Sequence, residues 1–263
     1  MLDGKEIRWE CDQRQDCSVV TPQGELTASE YRNFGDALVK YAVEEPRAVI
    51  VVLDDLRVNS EPLYSVFSAA WMRVGEWPGV PILIVVHDEP RRRWLRSSAV
   101  HRFVPVYADL SEAFAGLHEP PLRRRASLAL MSNADCGRRA RYFLEETCLR
   151  WNIPEVRVDA LLIVTELVEN SFLHSIVQSD MQLRLELRSQ LFTIAVADAD
   201  PHEALLREPT VGGRRHYGLH LVARLARSWG CAPRWPDGKI VWAVLPTGRR
   251  RELADYLEDR PER

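Results

Sequence analysis

Residues 17–21 (Cys-Ser-Val-Val-Thr) form a short β-prone run, and Pro22-Gln23-Gly24-Glu25 behind it carries turn chemistry, predicting that the strand ends there. Tyr31, Phe34, Leu38 and Tyr41 then recur at helical spacing, with Thr27 or Ser29 as the cap and Glu44-Glu45-Pro46 as the stop. Residues 48–53 are an unbroken apolar stretch rich in β-branched side chains, the pattern of a strand covered on both sheet faces. A helical pattern over 63–74, a second buried strand over 80–86, a helix over 91–98, a short strand over 103–107 and a helix over 110–117 follow. Strands alternating with helices predict a mixed sheet covered by helices, an α/β arrangement.

His118-Glu119-Pro120-Pro121 breaks the pattern, because paired prolines favour an extended, helix-incompatible connector. The chain therefore divides into a first domain at 1–117, a linker at 118–121, a second domain at 122–250 and a tail at 251–263. In the second domain a strand is expected over 126–130, a helix over 134–151, a second helix over 156–177, strands over 181–188 and 191–197, a helix over 219–229 and a last strand over 239–245. Arg123-Arg124-Arg125 reads as a solvated edge with no assigned role.

Composition narrows the classes of function. A length of 263 residues fits two ordinary domains, and 46% hydrophobic with 28% charged residues is the balance of globular protein. A net charge of −3 gives no electrostatic case for nucleic acid, so partners are expected among proteins and small molecules. No apolar run reaches membrane-spanning length and residues 1–8 lack the apolar region of a signal peptide, which predicts a cytoplasmic protein without membrane contact. Cys11, Cys17, Cys136, Cys148 and Cys231 are odd in number and scattered, as expected of reduced, mostly buried thiols.

Chemistry concentrates in three places. Glu166, Asn170 and His174 stand at i, i+4 and i+8 on one face of a helix whose apolar stripe is Leu161, Val164, Val168 and Phe172. A carboxylate and a carboxamide one turn apart suit a hydroxyl or water and a hydrated Mg²⁺ beside phosphates, although the same spacing also describes the wet face of any amphipathic helix. Asp198 ends a strand, where its carboxylate is placed to accept from the exocyclic amine of a purine; Asp at strand ends is also ordinary turn chemistry. Gly212-Gly213 and Gly218 precede Leu219-His220-Leu221-Val222, and glycines ahead of a helix let backbone N–H groups approach a phosphate.

In order and spacing these elements resemble the N, G1 and G2 boxes of the Bergerat-type ATPases. The match is closest to the small actinobacterial anti-sigma-factor serine kinases, through Glu166-Leu167-Val168-x-Asn170-x-x-x-His174, Gly218-Leu219-x-Leu221-Val222, Ser228-Trp229-Gly230 ending a helix, and Asp237-Gly238-Lys239-x-Val241-Trp242. The resemblance spans about residues 122–246 and implies a Bergerat α/β sandwich binding ATP and Mg²⁺. It makes Asn170 the Mg²⁺ ligand, Glu166 the residue that activates the attacking group and Asp198 the adenine reader, with Gly212, Gly213, Gly218 and Leu219 around the phosphates. It also makes Arg138 and Arg141 holders of a protein partner, and implies pairing of such kinases as homodimers. Two positions depart from the pattern: Asp200-Pro201 stands where glycine is common, and His216-Tyr217-Gly218 replaces Gly-x-Gly.

The first domain is similar to STAS domains, the anti-sigma-factor antagonists that such kinases act on. Asn59-Ser60-Glu61-Pro62-Leu63 corresponds to their acid-Ser-Ser-Gly-Leu segment, with Ser60 at the phosphoacceptor position; a plain N-cap with Pro62 in the first turn is the alternative. The two resemblances imply a regulator of sigma-factor-dependent transcription, a serine kinase whose partners are a sigma factor or a STAS-type antagonist. A non-catalytic adaptor that keeps the ATPase fold as a binding surface is the second reading, favoured by the altered glycine box.

Overall fold

The computed structural model describes residues 7–117, 123–174, 179–206 and 218–248. The linker at 118–121, Gly212, Gly213, the side chain of His174 and the tail lie outside the described residues. Two compact units divide at Pro120 and Pro121.

The first unit opens with a hairpin of β1 (Arg8–Arg14) and β2 (Cys17–Leu26), closed by Gln15 and Asp16 at φ 50° and 62°. Two consecutive left-handed residues give the primed turn that matches strand twist. Against expectation, β2 does not stop at Pro22. It pairs in parallel with β3 (Val49–Val52) through Ser18–Val20, and with β4 (Leu56–Val58) through Gly24–Leu26. Pro22 falls between the two ladders, where a missing N–H costs no parallel hydrogen bond.

Between β2 and β3 runs α1 (Tyr31–Val43), which begins later than expected because the Thr27 and Ser29 hydroxyls bond each other at 2.8 Å and cap nothing. A 3-10 turn, Glu61–Tyr64, leads into α2 (Ser65–Gly75). Then come β5 (Ile82–Val85), α3 (Glu89–Ser97), β6 (Val106–Tyr107) and α4 (Leu110–Ala115). Asp88 and Asp109 cap α3 and α4 by accepting from the backbone N–H of Arg91 and Glu112. The sheet order is β1-β2-β3-β5-β6, parallel after the hairpin, with β4 beside β2. Helices α1 and α2 pack together, with Phe34 and Phe67 edge to face at 5.5 Å.

The second unit is β7 (Arg123–Leu130), α5 (Cys136–Trp151), α6 (Arg157–His174), β8 (Met181–Arg188), β9 (Leu191–Asp198), α7 (Gly218–Leu225), β10 (Ser228–Arg234) and β11 (Gly238–Pro246). Its sheet is antiparallel throughout, in the order β10-β11-β9-β8-β7. Leu183, Phe192, Ile194 and Val241 on one face meet Leu144, Ile163, Leu167 and Val222 from the helices. The helix expected over 219–229 ends at Leu225, and Ser228-Trp229-Gly230 belongs to β10, which pairs along its whole length with β11.

The basic triplet also departs from a solvated edge. Arg123 and Arg125 on β7 both reach Glu186 on β8, at 3.7 and 2.9 Å, and Glu186 is buried. A buried carboxylate needs such counter-charge to remain inside. Both units layer helices on a sheet, mixed in the first unit and antiparallel in the second, so the chain as a whole is α/β.

Phe67 and Phe192 anchor the two cores and are fully buried. Phe67→Ala and Phe192→Ala are each expected to cost about 3–5 kcal/mol in urea unfolding, the loss typical of a buried aromatic ring. A cost under about 1 kcal/mol at either position would show that its core is not packed as described.

Candidate functional site

Helix α6 carries the site because of how it is buried. Ala160, Ile163, Val164, Leu167, Val168 and Ser171 are buried, while Leu161 and Phe172 of the expected stripe only border the core. Glu166 and Asn170 are half-buried along one rim of that seam, and Glu169 is exposed. Burial, then the neighbouring Glu169 charge, raises the Glu166 carboxyl above its ordinary value. A general base profits from such an upward shift toward working pH.

The N-terminus of α7 meets Glu166 directly. A Cβ on Gly218 would collide with the Glu166 carboxylate, so a larger residue there would displace that side chain from its place against the first turn of α7. Leu219 turns its side chain into the core, which leaves its backbone as the part available to a ligand. Gly212 and Gly213 lie outside the described residues.

Asp198 ends the central strand β9 directly opposite Lys239 of β11. It is 4% exposed. Its Oδ1 accepts from Lys239 Nζ at 3.0 Å and from the Asp200 backbone N–H at 3.0 Å. Its Oδ2 is buried and has no partner among the described residues. Lys239 is itself 5% exposed and also donates to the Asp200 carbonyl at 3.2 Å, with Asp200 Oδ2 at 3.4 Å. His202 Nδ1 stands 2.7 Å from Asp200 Oδ1. A Cβ on Gly238 would strike the Asp198 carbonyl, so β11 comes this close to β9 only because that residue is glycine. Sequence reasoning assigned no role to Lys239 or Asp200; the signal for them is the strand register, which composition does not carry.

The partner arginines differ. Arg138 is exposed, in a surface pair with Asp135 at 3.2 Å, whereas half-buried Arg141 places Nη1 3.5 Å from the Thr165 hydroxyl, one residue before Glu166. In the first unit Ser60 is exposed, with extended backbone, immediately before the turn at Glu61–Tyr64, and its side chain makes no capping bond. Behind it Arg91 joins Tyr64 Oη at 2.8 Å to the carbonyls of Leu53 and Leu56 at 2.8 and 3.0 Å. Burial pushes the thiols of Cys148 and Cys231 up to about 11, so neither is a thiolate at neutral pH.

No family model matches this chain, and no curated protein matches it. Among solved structures, an anti-sigma factor antagonist from Mycobacterium paratuberculosis is similar at 16% identity and a TM-score of 0.37, over 43% of this chain and 96% of that one. The phosphorylated form of SpoIIAA, the Bacillus cell fate determinant, is similar at 13% identity and a TM-score of 0.30, over 42% and 100%. An uncharacterized protein with a SpoIIAA-like fold from Shewanella loihica matches at 16% identity and a TM-score of 0.31, over 43% and 94%. These are likenesses of chain path over less than half of this protein.

The raised Glu166 value has a thermodynamic consequence. The folded state holds that proton more tightly than the unfolded chain, so the charged carboxylate costs stability as pH rises from the ordinary glutamate value of 4.5 through the higher folded one. Glu166→Gln is expected to be more stable than wild type by less than about 1 kcal/mol at pH 7, since solvent screening of a half-buried charge limits the gain. The difference should shrink toward zero at pH 4 in denaturant titrations. A less stable variant at pH 7 would mean that Glu166 has a favourable partner in the fold.

Proposed function

We propose that the second unit binds Mg-ATP and transfers its γ-phosphoryl group to a serine of a STAS-type antagonist, acting as an anti-sigma-factor serine kinase. The observation that carries this reading is the buried, partnerless Asp198 Oδ2. A dehydrated acceptor without a donor is costly, and an exocyclic purine amine satisfies it. The chemistry of the other side chains agrees. Asn170 offers a neutral oxygen ligand one turn from Glu166, and Mg²⁺ held there would screen phosphate charge.

Glu166 takes the proton of the attacking serine hydroxyl as its oxygen bonds to the γ-phosphorus and the bond to the ADP oxygen breaks. Its half-buried, desolvated carboxyl is suited to that transfer. The first turn of α7, brought against Glu166 by Gly218, turns backbone N–H groups toward the phosphates. Arg138 and Arg141 offer cationic groups to an acidic surface of the antagonist or sigma factor. In the first unit, Ser60 stands exposed and uncapped, as a phosphoacceptor must. His216, where the resemblance has glycine, favours the second reading, an adaptor that binds its partner without turnover.

Calorimetry with the intact chain separates these readings. Wild type should bind Mg-ATP below millimolar concentration, and Asn170→Ala should lose the Mg²⁺-dependent part of the affinity. Glu166→Ala should bind Mg-ATP as wild type does, while radiolabel transfer to a purified STAS protein falls by about 10²–10⁴-fold, the usual worth of a general base. Absence of binding at millimolar Mg-ATP rejects the kinase and selects the adaptor, as does binding without any transfer by wild type.

A further inference from the structure

Three acidic or basic groups are packed into one corner where β9 ends and β11 begins: Asp198, Asp200 and Lys239, all 5% exposed or less. Dehydrated charges are retained only when paired, and the pairing here is uneven. Lys239 Nζ donates to Asp198 Oδ1 and the Asp200 carbonyl at 3.0 and 3.2 Å and pairs with Asp200 Oδ2 at 3.4 Å, so its ammonium is enclosed by three oxygens. At 5% exposure that ammonium is turned to the two aspartates. Asp198 Oδ1 is likewise filled, by Lys239 and by the Asp200 backbone N–H, while Oδ2 is left bare.

We infer that Lys239 is the residue that sets purine specificity: it holds Asp198 as a pure acceptor with Oδ2 as its one open oxygen, selecting 6-aminopurine over 6-oxopurine nucleotides. The inference rests on the reading of Asp198 as the base-contacting residue and goes beyond it by naming what enforces that role. Lys239 is a positioning residue, since it touches Asp198 and not the base. An ammonium is a donor only, so the oxygen it occupies can serve nothing else. Adenine places an amine at C6 and donates to Oδ2; hypoxanthine places a carbonyl there and sets acceptor against acceptor. Without Lys239, the buried carboxylates of Asp198 and Asp200 keep only the exposed His202 ring, on Asp200, as a cationic group, and dehydrated carboxylates so poorly balanced are relieved by taking up a proton. Asp198 then donates as well as accepts, and the carbonyl base is no longer refused.

The test is competition binding of ATP and inosine triphosphate to the intact chain, with Mg²⁺ present. Wild type should prefer ATP by about 10- to 100-fold, the penalty of an unsatisfied buried acceptor expressed as affinity. Lys239→Met should bring the two affinities within about threefold of each other while triphosphate binding persists. Asp200→Asn leaves Lys239 on Asp198 and should keep the wild-type ratio, and Lys239→Arg should restore part of it. If Lys239→Met does not fold by circular dichroism, Lys239→Gln is read in its place and should fall between wild type and unity. A wild-type ratio in Lys239→Met, or in Lys239→Gln if that is the variant read, overturns the inference while leaving Asp198 as base reader. A wild type that binds neither nucleotide, or binds both equally, overturns the base-reading assignment and this inference together.

Discussion

Packing of α6 onto β9 and β11 decides what the second unit presents to a ligand. The helix buries Ile163, Val164, Leu167 and Val168 against the sheet, so only its rims are left for polar side chains. Glu166 and Asn170 occupy one rim together because four residues bring a helix back to the same face. Had the helix rolled by one residue, Glu166 would enter the core and leave a carboxylate without water or counter-charge, at a cost no packing gain offsets. The core thus aligns the polar pair, and α7 closes on it through Gly218.

The far end of β9 follows a different rule. Asp198, Asp200 and Lys239 are dehydrated by the antiparallel pairing of β9 with β11, which depends on a residue without Cβ at Gly238. Charge balance then replaces solvent: one ammonium serves two carboxylates, and the exposed His202 ring takes a further side of Asp200. A buried network pinned at every oxygen but Asp198 Oδ2 is rigid, and rigidity at a base-contacting group favours discrimination between bases over raw affinity.

Legibility in the sequence followed the locality of each signal. The apolar runs of β3 and β5, the alternation in β8 and the i, i+4 relation of Glu166 and Asn170 need only neighbours along the chain. Strand β1 escaped notice because six of its seven residues are exposed and carry no apolar alternation. Strand β10 escaped because Gly230 and Pro233 weaken its local preference; its pairing comes from β11, which only the folded sheet supplies. The Lys239 pairing with Asp198 spans 41 residues and depends on register, so each residue looked ordinary alone. The place of Leu219 at the head of a helix was legible from its motif, but that its side chain packs against the core depends on tertiary packing.

In the first unit a similar economy holds the Ser60 segment, where Arg91 gathers Tyr64 and two carbonyls behind an exposed hydroxyl. Whether the two units form one signalling device turns on whether the second handles a nucleotide at all. The most direct measurement is a crystal structure of the intact chain with Mg²⁺ and a non-hydrolysable ATP analogue. The account predicts the exocyclic purine nitrogen at hydrogen-bond distance from Asp198 Oδ2, about 2.7–3.2 Å, with the metal beside Asn170. A nucleotide seated elsewhere, or a base whose amine faces away from Asp198, would contradict it.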